Sequence, residues 1–435
     1  MRRFLHQILS VGSHSSQRRH EAQETEEGDR RTSVFDMTTT TLGPSAHSPP
    51  LSASIMGFGI DLYRQLVLHT AGSHGASSKG AGTPGNVVFS PFAVAAALSM
   101  TLAGARCGTA RELEAALHAR DDEQIHSHFA AQLSRITSHA LKVVFEVNNR
   151  MYTDQRYPVI ESYRAFLHDT YGANTMHTVD FSSRHGEVLA EANDCVARAS
   201  SNTVRDVVGS DSFGPSTQLA LVSGAYFCGA WESPFQPAFT GPDEFHVDAH
   251  TVVRVNMMNQ MQPFGIAHSD QLQATALEMP HLGGKTCMVI ILPDKMDGLP
   301  ELERNLTPRN LSDLLHNIPV RPNVMLKLPK FVVQLSCKLR EPLKAMGVRE
   351  LFTARANLSG IFETGSPALA DVFHGTFLGV NEMGAETTSP SAEVLVGGGP
   401  GLGEITRLTV NRPFMFLIKP RHGNVLFIMG SVRRP

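Results

Sequence analysis

Long apolar runs are missing from this chain. No stretch approaches the roughly 18 residues that a membrane-spanning helix needs, so neither a spanning segment nor a membrane partner is expected. Cysteine is scarce and scattered: Cys107, Cys195, Cys228, Cys287 and Cys337 are the only five, with no CxxC pair among them. Such a set argues for buried structural thiols, and against a zinc site or a disulfide framework. Neither sign of charge dominates, with 38 basic against 41 acidic residues and a net charge of −3. Nucleic acid and anionic lipid therefore have no electrostatic claim as partners. GxSxG and HExxH are both absent. Gly284-Lys285-Thr286 ends like a phosphate-binding loop, but Met279 stands where the first glycine is required, so a hairpin turn is expected there instead. The 20 histidines are dispersed; the nearest cluster, His118, His126 and His128, reads as solvated surface. No metal, no cofactor and no enzymatic activity are expected, and no internal repeat is present.

What is present is the composition of a globular protein: 435 residues, 42% apolar and 18% charged. The first segment is polar, with Thr38 to Thr41 and Pro49-Pro50, and reads as a disordered extension over residues 1–55. Arg2 and Arg3 precede a short stretch from Phe4 to Val11 that His6 and Gln7 interrupt, a poor secretory signal. Met37 and Met56 are alternative starts. Ordered structure is expected over 56–435, opening on a helix with Ile60, Tyr63 and Val67 on its apolar face. Val87 to Phe89 reads as a strand, and Ser90-Pro91 as a cap followed by proline at the first helical position. Thr109 and Glu112 fit a capping box for the next helix. Leu141 to Tyr152 reads as a strand and Glu187 to Ala199 as an amphipathic helix. From residue 218 strands dominate: Leu219 to Phe227, Met288 to Leu292, Val324 to Val333, Asp371 to Val380, Phe414 to Ile418 and Val425 to Met429. Helices first and strands later predict an α+β single domain rather than alternating βαβ units.

Several segments, in order, carry a resemblance. They include "NVVFSPFAVAAALSMTLAGARCGTARELEAAL", "LALVSGAYFCGAWESPFQPAFT" with Trp231 as the only tryptophan of the chain, "LEMPHLGGKTCMVIILP", "FHGTFLGVNEMGAE", "VNRPFMFLI" and "NVLFIMGSV". Together they resemble the serpin family from about residue 56 to the C-terminus. The resemblance implies three β-sheets, about nine helices and an exposed reactive-centre loop over about 385–407. It implies a suicide substrate. A serine protease attacks the loop, an acyl-enzyme forms, and the cut loop inserts into the large sheet as an extra strand. The partner would be a serine protease held in a covalent complex with a monomer. The resemblance also implies an extracellular protein, while the weak secretory signal leaves a cytoplasmic location open.

In the family's register the hinge is Glu382, Gly384, Ala385, Glu386, Thr387, Thr388, Ser389 and Pro390. Strand periodicity turns Ala385, Thr387, Ser389 and Ser391 inward, all of them small. Pro390 lacks an N–H, and the lost hydrogen bond costs roughly 0.5–1.5 kcal/mol. Glu393 would face inward as well. Family spacing puts the scissile bond among Gly398, Gly399, Leu402 and Gly403. No lysine lies in the loop, which favours an elastase- or chymotrypsin-like target over a trypsin-like one. The alternative is a non-inhibitory serpin acting as carrier, chaperone or binding scaffold, or a simple protease substrate, on account of Pro390 and the glycine-rich stretch. A polar cluster governing opening of the large sheet is expected from Ser90, Asn193 and His374, with Trp231 at the sheet's top.

Overall fold

The computed structural model describes residues 51–73, 85–120, 124–137, 143–385 and 404–435, and all of them fall within one compact unit. The first helix, α1 (Leu51–Ser73), starts five residues before the expected boundary at Met56. Leu51 and Ile55 are the reason, since both are buried on the same stripe as Phe58, Leu62 and Leu66. Next come β1 (Val87–Phe89) and α2 (Pro91–Gly104). The Ser90 side chain caps α2 by accepting from the Ala93 N–H, as its sequence predicts. Nearly every residue of α2 is buried, which suits its run of alanines and other small or apolar side chains.

The expected capping box is not formed. Helix α3 (Cys107–Ala116) starts two residues before Thr109, so Thr109 lies inside it. Thr109 instead accepts from the Asn357 N–H, and Glu112 accepts from the N–H groups of Arg349 and Glu350 at 2.7 Å. Both side chains thus fasten a segment some 240 residues away. Helix α4 (Ile125–Thr137), β2 (Val143–Asp154), α5 (Glu161–Tyr171), β3 (Met176–Val179) and α6 (Phe181–Ala199) complete the helical half.

The strand-rich half runs β4 (Leu219–Ala230), β5 (Gly241–His246), β6 (Val252–Ser269), β7 (Ala274–Pro280), β8 (Thr286–Pro293), α7 (Leu299–Asn305), α8 (Pro308–His316), β9 (Val320–Pro329), β10 (Phe331–Lys338), α9 (Arg340–Ala345), β11 (Leu369–Asn381), β12 (Gly384–Ala385), β13 (Thr406–Thr409), β14 (Phe414–Pro420) and β15 (Ile428–Val432). The expected strand Val324–Val333 is two strands. At Lys330 the chain leaves one sheet for another, and the Lys330 N–H turns to the Asn256 carbonyl. The last expected strand, Val425–Met429, lies three residues later, as β15; Ser90 Oγ takes the Phe427 carbonyl at 2.6 Å and so closes it to the ladder. The turn at Gly283-Gly284, both with positive φ, joins β7 to β8 as expected.

Among the described residues, one sheet has six strands in the order β10-β11-β12-β4-β2-β3. The other hydrogen-bonded system follows β1-β15-β14-β8-β7-β6-β9-β13, with β5 also on β6. It is two of the expected three sheets made continuous by one strand. The 18-residue β6 pairs with β5 and β9 along its first part and with β7 at its end. The main core lies between the six-stranded sheet and this second system. A smaller core under α6 covers the other face of the six-stranded sheet, through Phe181, Val196, Val204, Val207 and Phe373. Glycine is required twice on that face, because a Cβ on Gly224 or Gly375 would collide with Val196 or with Val204 and Val207.

All five cysteines are free thiols. Cys195 and Cys287 are buried and Cys228 and Cys337 half-buried, whereas Cys107 is exposed at the start of α3, against the expectation of a buried set.

Candidate functional site

Two strands of the six-stranded sheet, β4 and β11, run parallel and pair directly from Leu219/Leu369 to Tyr226/Phe377. Above that level they part, and β12 sits between them. Ala385 is opposite Val380 of β11 and Gly229 of β4, and Gly384 is opposite Asn381 and Ala230. Both pairings of β12 are antiparallel. The start of the expected hinge is therefore already a strand of the sheet, and Ala385 is fully buried in it. Gly384 has no room for a side chain, since a Cβ there would run into the Gly229 carbonyl.

The turn between β11 and β12 is held from three sides. Trp231 donates its indole N–H to the Asn381 carbonyl at 3.0 Å and its backbone N–H to the Met383 carbonyl at 2.9 Å. The Phe235 N–H donates to the Glu382 carbonyl. The Glu382 carboxylate accepts from Thr240 Oγ1 at 3.0 Å and pairs with Lys330 Nζ at 2.9 Å, with only 12% of its side chain exposed. Burial pushes its pKa up, but the Lys330 and Thr240 hydrogen bonds outweigh that and hold it below the ordinary glutamate range. Trp231 is itself buried and stacked on His281, with ring centroids 5.1 Å apart and planes within 10°. His281 is fully buried. Its Nδ1 lies 3.0 Å from Thr286 Oγ1, and Nε2 has no partner among the described residues. Burial drives its pKa down to about 3.

Lower in the sheet, His374 is the centre of a buried polar cluster. The Ser90 N–H donates to His374 Nε2 at 3.0 Å, Thr376 Oγ1 lies 2.8 Å from the same nitrogen, and Nδ1 is 3.1 Å from Ser223 Oγ. Because a backbone N–H can only donate, Nε2 accepts. The neutral ring thus carries its proton on Nδ1, facing Ser223. Burial lowers the His374 pKa to about 3, which keeps it neutral. His374 and Ser223 are directly opposite across the β11–β4 pair, so parting those strands breaks this bond.

Of the residues expected to act together, Ser90 and His374 do meet. Asn193 does not join them: on α6 its amide exchanges two 2.9 Å hydrogen bonds with the backbone of Val208. Trp231 belongs to the hinge seat, at the far end of β4. Sequence reasoning missed Lys330 and Thr240 as partners of Glu382 and Thr376 as a partner of His374. Thr376 could have been found, because it lies two residues from His374 and so on the same strand face. The remaining hinge positions Glu386, Thr387, Thr388, Ser389 and Pro390, and the candidate scissile residues Gly398, Gly399, Leu402 and Gly403, lie outside the described residues. Past them, Arg407 lies in β13, which pairs in parallel with β9.

Comparison with known proteins follows this geometry. A family model described as Serpin (serine protease inhibitor) matches residues 53–435. Iris of Ixodes ricinus is 39% identical over 383 residues, covering 88% of this chain and 98% of that protein. Ipis-1 of Ixodes persulcatus is 40% identical over the same shares of each chain. Leukocyte elastase inhibitor of Sus scrofa is 28% identical over 88% of this chain and 99% of its own length. Among solved structures, uncleaved ovalbumin has the same fold, with a TM-score of 0.77 at 24% identity over 89% of this chain and all of that one.

Proposed function

Because the chain belongs to the serpin family, we propose that it inhibits a serine protease as a suicide substrate, with an elastase- or chymotrypsin-like enzyme as target. The observation that carries this reading is β12, which occupies the gap between β4 and β11 with Ala385 buried. A strand thus seated can lengthen downward once the loop is cut. The chemistry belongs to the protease. Its serine attacks the scissile carbonyl among Gly398, Gly399, Leu402 and Gly403, the segment beyond leaves as an amine, and an acyl-enzyme remains. This chain contributes a sheet that takes up the freed loop before water can attack the ester. It acts as a monomer, one molecule per protease.

Continuing the register of β12 downward gives the neighbours each loop residue would have on insertion. Continuing from Ala385, Thr387 falls opposite Leu378 and Phe227, Ser389 opposite Thr376 and Ala225, and Ser391 opposite His374 and Ser223. The polar cluster that loses its His374–Ser223 bond would thereby receive a new hydroxyl. Pro390 falls opposite Gly375 and Gly224, on the face covered by Val196, Val204 and Val207. Those valines fill the space over the two glycines, so the proline ring would have to displace them, while its missing N–H leaves one ladder acceptor unpaired.

The test is a panel of purified serine proteases incubated with the full chain and run on an SDS gel, with mass spectrometry of the released C-terminal peptide. A covalent band of summed mass with an elastase- or chymotrypsin-like enzyme is the expected result. Complete loop cleavage with undiminished protease activity across the panel would instead establish a substrate.

A further inference from the structure

The stretch expected to be cut carries no base. From Glu386 to Glu404 its only ionisable side chains are Glu386, Glu393 and Glu404. The first base after it is Arg407, in β13. Leu408, opposite the fully buried Leu326, packs on the core, so strand alternation turns Arg407 outward, where it is exposed. Among the described residues β13 ends the strand path and pairs only with β9, whose first residues, Val320, Arg321 and Pro322, are exposed as well. Continuing the register back from Thr406 and Val324 puts Ile405 beside Asn323, between the levels of the two arginines. Ile405 is itself 42% exposed.

Neither Arg321 nor Arg407 meets an acid among the described residues, whereas the charges around them are already matched. Lys327, further along β9, pairs with Asp243 at 2.8 Å. Beyond Val320, Glu232 and Glu278 are matched by Arg421 and the buried Lys419. Two unmatched guanidiniums therefore face one unmatched carboxylate, that of Glu404, and this end of the sheet is left basic.

The tether brings a protease within reach of it. Gly398 lies seven residues before Ile405 and Gly403 two, so the chain spans at most about 25 Å between any candidate bond and Ile405. A globular enzyme of about 230 residues is about 45 Å across. We propose that Arg321 and Arg407 dock an acidic surface of the target protease, on the flank of its cleft that receives the residues after the cut. The inference rests on reading the chain as a protease inhibitor, and it names the kind of enzyme surface that the chain selects. Charges so placed speed the encounter and leave the later partition between complex and cleaved chain alone.

The experiment takes the enzyme of the panel that attacks the loop fastest. It measures the second-order rate constant of attack on the full chain, counting covalent complex and cleaved chain together. Salt is varied from about 0.05 to about 0.5 M, which shortens the Debye length from about 14 to about 4 Å. The rate should fall as salt rises. Arg321→Glu combined with Arg407→Glu should lower it about tenfold or more at low salt and far less at high salt, with the ratio of complex to cleaved chain unchanged. Arg321→Lys combined with Arg407→Lys keeps the charge and should keep the rate within about twofold. Unchanged thermal midpoints show that both double variants are folded. A rate that ignores salt or rises with it, an unaltered rate in the double glutamate variant, or a loss of equal size at both salts would each overturn the docking pair. Absence of any covalent complex would overturn the inhibitory reading instead, and the rate of loop attack would still decide on the two arginines.

Discussion

At the scale of single residues, two buried histidines make this protein sensitive to acid. His374 and His281 both have pKa values lowered by burial to about 3, against about 6.5 in an unfolded chain. Between those values the unfolded state binds one more proton per histidine, so stability rises with pH. The contribution is fully present above about pH 6.5 and is lost progressively as pH falls toward 3. Each histidine adds a slope of about 1.4 kcal/mol per pH unit in that window. Urea unfolding between about pH 6 and 4, inside that window, should show the slope fall by about that amount in His281→Phe, and again in His374→Asn. A second buried group acts through charge. Glu303 of α7 accepts from the Tyr63 hydroxyl and pairs with Arg433, both acid and base having 12% of their side chains exposed. Glu303→Gln leaves Arg433 buried without its counter-charge, and a loss of about 3–5 kcal/mol is expected in unfolding experiments at neutral pH.

At the scale of elements, the seat of β12 decides whether a loop strand can start. Ala385 is fully buried between Val380 and Gly229. Ala385→Arg would carry a charge into that position, at a penalty of several kcal/mol. The variant should fold, with β12 expelled, and be cleaved by the target protease without forming a covalent complex on a gel. This seat was partly legible in the sequence. The run from Val380 to Glu386 resembles the serpin hinge, and its Gly384 and Ala385 are small enough for the tight seat between β4 and β11. The Ser90-Pro91 cap is likewise local chemistry, and it holds. What stayed hidden depends on contacts across long sequence separations. Lys330 and Thr240 reach Glu382 from 52 and 142 residues away, and nothing in their own neighbourhoods marks them. Thr109 and Glu112 show the converse. Their spacing satisfies a local rule, but tertiary contacts with 349–357 use both side chains and the box does not form. Asn193, placed by resemblance beside His374, instead joins α6 to Val208 because the backbone there offers it a donor and an acceptor together.

At the scale of the whole molecule, the proposed insertion of the loop between β4 and β11 predicts an uncut chain less stable than its cut form. The two long strands pair directly below Phe377, and a strand inserted there would gain ladder partners on both sides. About ten residues each gaining roughly 1 kcal/mol amount to on the order of 10 kcal/mol. For a chain of this size that corresponds to a rise in melting temperature on the order of 10–20 °C after a single cut in the loop. Differential scanning calorimetry before and after limited proteolysis measures it, and an unchanged melting temperature would show that the loop does not insert. Pro390 is expected to set the speed rather than the sign of this change. The one hydrogen bond it withholds, about 1 kcal/mol, is small beside the total gain. If that bond forms before the acyl-enzyme is hydrolysed, restoring it accelerates insertion about fivefold. Pro390→Ala should then shift the ratio of covalent complex to cleaved inhibitor by about that factor, while the melting temperature of the cleaved form rises by only about 1–2 °C. A variant that raises the melting temperature but leaves the ratio unchanged would place the proline's effect after the step that decides between complex and product.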